Sequence, residues 1–177
     1  MANGTTTVEF VPEGFDEIEK RFANSKESVR IVQRSVLQRI GKVMVPALKD
    51  ETPKGSSRKL RNKTYSILMG DNTTDMRVEV RQVARSDRGF PYGIAVRTGT
   101  KPHFPPYRAL IPWVKAVLDV PEAQAGGVAF VIARKISQVG TEANPYHVRA
   151  YESKVGEIQP IVEDEMNRLV NMLTEGV

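Results

Sequence analysis

At 177 residues, 40% of them apolar and 27% charged, the chain is long enough to bury one core unaided and too apolar for wholesale disorder. It has no cysteine, which excludes a disulfide framework and thiolate chemistry, and no run of about 18 apolar residues that could span a bilayer as a helix. The formal net charge of +5 admits nucleic acid or an acidic surface as a partner.

Met1 to Thr7 lacks the basic and apolar regions of a secretory signal, so synthesis in a cytoplasm and work without a membrane are expected. Residues 1–6 are expected to be disordered. Thr7 to Val11 alternates weakly, as a short strand before Pro12. A long helical region then runs from about Phe15 to Glu51, broken near Asn24-Ser25, where Ser25 can cap a second helix. Val29, Val32, Val36, Ile40, Val43 and Ala47 step by three and four and predict one core-facing stripe; Arg39 lies off it, at a position that should tolerate alanine. Pro46 predicts a kink, and Thr52-Pro53 the end of the helix.

Three short strands are predicted next. Tyr65, Ile67 and Met69 alternate with Ser66 and Leu68, then Met76, Val78 and Val80 with Arg77, Glu79 and Arg81, then Tyr92, Ile94 and Val96. Turn-rich segments separate them, which implies an antiparallel meander covered by the long helix. Helices follow at Arg108 to Leu118 and Glu122 to Val139. A last one starts near His147, with Ile158, Val162, Met166, Leu169 and Leu173 in register and a kink at Pro160. The expected fold is α+β: a short antiparallel β-meander packed against a long N-terminal helix, with further helices in the C-terminal half. With no repeat or linker visible, residues 1–177 read as a single domain.

Signals for catalysis are nearly absent. His103 and His147 stand in or beside proline-containing loops, with no E-x-x-H or second histidine at ligand spacing, so no metal or other cofactor is expected. Ser56-Ser57-Arg58-Lys59 lacks phosphate-loop spacing, and Asp71, Asp75 and Asp87 occupy turns that aspartate favours for local reasons. A non-enzymatic protein is the reading that follows. The charge is laid out in blocks: Lys54, Arg58, Lys59, Arg61 and Lys63 with no acid among them, then an acid-rich stretch from Glu152 that includes Glu163, Asp164 and Glu165. Separated blocks suit self-association as well as nucleic acid, and either block alone can be a solvated face.

Three loop signatures carry a resemblance. The long helix ends in Thr52-Pro53, followed by a Gly/Ser turn, Arg58-Lys59-Leu60-Arg61 and Tyr65-Ser66-Ile67. Tyr92 and Val96 run into Thr98-Gly99-Thr100 and Pro102-His103. Gly140-Thr141 precedes Pro145-Tyr146 and Ala150. In order and interval these resemble the bacteriophage neck or tail-completion proteins, the head–tail joining family related to minor tail protein Z, over nearly the whole chain from about Val8. The sequence departs at Arg97, where an acid usually precedes Gly-Thr, at Gly55-Ser56-Ser57, which replaces an Asp-Thr-Gly turn, and at Arg149, where proline is common.

The resemblance implies a structural virion protein, made in the host bacterial cytoplasm. It would form a ring in the phage neck between the head-closure or connector protein and the tail terminator or tail tube protein. Genomic DNA would pass through without sequence-specific binding. A body of this length is roughly 40 Å wide, so six copies leave a hole on the order of 40 Å and twelve a hole of about 110 Å. A hexamer is therefore favoured, with a dodecamer as the other possibility. The expected contact surfaces are the segment Lys54 to Lys63, meeting Glu163, Asp164 or Glu165 of a neighbour, and the stiff loop Lys101, Pro102, His103 and Phe104. A tail terminator capping the tail tube, a DNA-binding module using the basic segment, and a hydrolase or nuclease with an unrecognised site are the alternatives.

Overall fold

The computed structural model describes residues 25–55, 57–71, 75–86 and 89–174. The expected strand at Thr7 to Val11, the helix before Ser25 and the disorder of residues 1–6 lie outside them. The fold is α+β, and the first described element is helix α1, Lys26–Glu51. Ser25 occupies its N-cap position without a side-chain cap bond, while Glu27 and Lys49 complement the helix dipole at either end. Pro46 sits inside the helix on an exposed position, and α1 continues to Glu51. Thr52 then turns extended, and its N–H and hydroxyl both return to the Leu48 carbonyl. Val32 and Ala47 of the predicted stripe are buried, and Val29, Val36, Ile40 and Val43 are half-buried.

A single helical turn, α2 (Lys59–Asn62), leads into a hairpin of β1 (Thr64–Met69) and β2 (Arg77–Gln82). The strands pair antiparallel in register from Thr64↔Gln82 to Met69↔Arg77. Gly41 marks where α1 crosses this hairpin: a Cβ there would stand 2.9 Å from Ser66 Oγ and 3.2 Å from Val78 Cγ2. Ser66, Val78 and Val80 therefore share the covered face. Strand alternation sends Tyr65 and Ile67 to the open face, opposite Arg81 and Glu79.

The predicted third strand is helix α3 (Tyr92–Thr98). Spacing of four puts Tyr92 and Val96 together against the core of Ala47, Leu48, Leu60, Ala84, Tyr146 and Ala150, and leaves Ile94 exposed. The sheet among the described residues thus has two strands rather than three.

Helices α4 (Tyr107–Leu118) and α5 (Glu122–Val139) form a sharply bent pair, 115° between them, and pack chiefly on each other. Their seam is a small core of its own: Val114, Ala125 and Ala129 fully buried, flanked by Leu110, Trp113, Val128 and Ile132. The expected last helix is two, α6 (Tyr146–Glu152) and α7 (Val155–Thr174). The break falls at Ser153-Lys154, where Ser153 Oγ donates to the Ala150 carbonyl, and Pro160 lies inside α7. Arg149 pairs with Glu51 at one end of α1 and Asp164 with Arg39 nearer its middle, so α7 runs back antiparallel along α1.

Candidate assembly surfaces

The sequence signatures meet at a buried hydrogen-bonded hub. Tyr146 donates its phenol proton to Gln82 Oε1 at 2.6 Å, and Gln82 Nε2 donates to Thr52 Oγ1 at 2.9 Å and Thr64 Oγ1 at 3.0 Å. Both threonines pass the chain on, Thr52 to the Leu48 carbonyl and Thr64 to that of Leu60. Burial pushes the Tyr146 phenol up, so it remains a neutral donor, while Arg97 pulls weakly the other way. Thr52, Leu60 and Tyr146 come from two of the three signatures, and Tyr92 and Val96 of the remaining one pack on the same core.

A second convergence lies at the base of the α4–α5 arm. Thr100 and Thr141 exchange both backbone hydrogen bonds at 3.1 Å, and their hydroxyls meet at 3.0 Å. Gly99 (φ +72) and Gly140 (φ +77) make this approach possible, since a Cβ on Gly140 would lie 2.0 Å from the Thr100 carbonyl oxygen. The Gly-Thr pairs in two of the signatures are thus two halves of one pinch.

The loop Lys101 to Phe104 runs from that pinch along α5. His103 donates its backbone N–H to the Ile136 carbonyl and bonds its own Nδ1 to the Lys101 carbonyl, 2.9 Å away. Pro102 and the side chains of Lys101, His103 and Phe104 are exposed. Phe104 and Tyr107 each meet Phe130 edge-to-face, at 6.1 and 5.8 Å between ring centroids. Phe104, Phe130 and Val131 remain 53, 47 and 66% exposed, apolar surface on the side of α5 away from its alanines that the periodicity of α5 did not mark. Two large apolar residues in a row, outside the Ala125–Ala129–Ala133 register, were the available signal.

The basic segment lies at the C-terminal end of α1. Lys54, Arg58, Lys59, Arg61 and Lys63 are all exposed, and Arg61 pairs with Asp50 at 2.9 Å. The acids lie elsewhere: Asp164 meets Arg39, which is 11 positions and about 16 Å of helix from Asp50. Glu163 is exposed and accepts from Gln159. Glu165 is only 4% exposed and belongs to its own chain's interior, so the expectation that it meets a neighbour's basic segment is corrected. Its carboxylate accepts from Ser35 at 2.5 Å, Arg39 at 3.1 Å and Arg168 at 3.4 Å. The Ser35 bond above all, with Arg39 and Arg168, holds it below the usual carboxylate range against the opposing loss of water. Arg39, expected from sequence to lie off the stripe and tolerate alanine, is the cation that clamps α7 to α1. No local pattern marks such a pair, separated by 126 positions.

Val162 and Met166, expected in the core stripe of α7, stand outside it with Val170, at 37, 49 and 53% exposure; Leu169 is the apolar residue of this helix that is fully enclosed. Among the described residues no group of three or more histidines and carboxylates is placed to hold a metal ion. No single helix there is long and apolar enough to cross a membrane. Comparison with protein-family models, with curated proteins and with solved structures finds no match to this chain.

Proposed function

We propose that this chain is a structural subunit of the neck of a tailed bacteriophage, closing with copies of itself into a ring that joins the head connector to the tail. The observation that carries the reading is the convergence of its loop signatures. Segments far apart in sequence interlock through Gln82, through the Thr100–Thr141 pinch and through one apolar core. Motifs that hold a scaffold together in this way can persist in a family while its surfaces diverge. Two surfaces of different character, the apolar arm and the acidic α7, suit a subunit that must meet a different face on each side.

The ring would sit between the head-closure protein and the tail terminator or tube. Six copies would leave a hole on the order of 40 Å, wide enough for duplex DNA. Negative-stain imaging of the purified protein should reveal rings with that hole. Particles assembled without it should accumulate as separate heads and tails that the purified protein rejoins. Complete head–tail joining in its absence would reject the proposal. So would tight, steeply salt-dependent binding of duplex DNA by a monomer, which would favour a DNA-binding module using Lys54 to Lys63.

A further inference from the structure

We infer that the outer face of the α4–α5 arm docks on the α7 face of a second copy of this chain. The inference rests on the ring reading and names its repeating contact. Over its 18 residues α5 carries only Glu122, Arg134 and Lys135 as charges. Its alanine side is taken up by α4, yet its opposite side presents Phe130 and Val131 to solvent, and a helix apolar on both sides is normally covered on both. Phe104 and Tyr107, seated edge-on against Phe130, stiffen this surface, so docking would order little that is not already ordered.

Charge selects the occupant. From Lys101 to Gly140 five cations stand against Asp119 and Glu122, and Glu122 is already paired with Lys115. The outer side of helix α7 has the opposite balance, with Glu157, Glu163 and Asp164 exposed there against Arg168. Glu157 pairs with Lys154 and Asp164 with Arg39, whereas Glu163 has no cation of its own chain beside it among the described residues. It also offers its own exposed apolar row, Val162, Met166 and Val170, with Glu163 on the flank. The two helices match in reach, about 27 Å for α5 and about 30 Å for α7. Arm against arm would set like charges together, whereas arm against α7 pairs opposite charges and apolar rows. Because the two faces differ, the contact is head-to-tail and can propagate around a ring.

A chain without cysteine makes the test direct. Single variants V131C and M166C, both at exposed positions, are purified, mixed and mildly oxidised. A disulfide-linked dimer should form in the mixture and in neither variant alone. V131E should weaken self-association at least ten-fold by sedimentation, with circular dichroism unchanged. Self-linking of V131C alone would mean that arm meets arm and would overturn the inference. Assembly that lacks the mixed disulfide and ignores V131E would also overturn it, leaving the ring reading intact. A strict monomer at all concentrations would reject this contact too, while head–tail joining on particles still decides the ring. Binding to phosphatidylglycerol vesicles that V131E abolishes, without self-association, would make the occupant a lipid surface and sink the proposal.

Discussion

Arg39 Nη1 on α1 lies 3.1 Å from Glu165 Oε1 on α7, and the carboxylate it meets is almost wholly enclosed while the guanidinium is not. The two partners therefore differ in what their loss exposes. Removing Arg39 leaves an enclosed charge to Ser35 and Arg168. Removing Glu165 leaves a cation that water can reach.

Arg39→Ala should lower the urea midpoint clearly more than alanine does at a solvated surface site, because it deprives the enclosed Glu165 carboxylate of a partner. The pH dependence has a definite sign. Glu165 is held low in the folded chain, chiefly by Ser35, so its contribution is complete above the ordinary carboxylate value near 4.3. It fades as pH falls further, through the folded value. Urea midpoints measured from pH 7 down to pH 3 should fall more steeply for the wild type than for Glu165→Gln. Parallel curves would mean that Glu165 titrates alike in the folded and unfolded chain.

Gly41→Ala should destabilise although alanine is the better helix former. Its Cβ would enter the space of Ser66 Oγ and Cβ, at 2.9 and 3.0 Å. A net loss of about 1–3 kcal/mol is expected, as for overpacking generally. Ser66→Gly removes both obstructing atoms and should recover much of it in the double variant. Additive losses in denaturant titrations would show that the crossing is looser than described.

Val32 is 2% exposed, whereas Ile40 is half-buried. Val32→Ala should therefore cost at least as much as Ile40→Ala, about 1–3 kcal/mol, despite deleting less of the side chain. A much larger loss at Ile40 would place the centre of the α1 stripe further along the helix.

Gly140→Ala should open the arm's base, because its Cβ cannot coexist with the Thr100 carbonyl at 2.0 Å and its φ of +77 disfavours any side chain. Amide exchange at Thr100 and Thr141 should speed up, while the amides of β1 and β2 keep their protection. Unchanged exchange at both threonines would contradict the pinch.

The α1 stripe was legible in sequence because a helix of 26 residues repeats its period often enough to leave one answer. Tyr92, Ile94 and Val96 did not repeat long enough. Alternation over five residues fits a strand, but Tyr92 and Val96 are also one helical turn apart, and core contacts decided between the two. Basic and acidic blocks were visible, but their partners were not. Arg61 found Asp50 and Asp164 found Arg39 within the same chain, by a fold that brings distant segments side by side. The apolar outer face of the arm was obscured because Phe130 and Val131 add to the hydrophobicity of α5 without altering its register.

Thr100 and Thr141 are 41 positions apart in the chain and adjacent in space. Topologically, the arm between them is a detour that leaves the body and returns to the point of departure. Val96 O accepts from Asn144 N just beyond the pinch, so the body's own path is already closed without it. The lineage of such a chain could therefore exchange, lengthen or lose the arm as a cassette while the framework beneath is inherited whole.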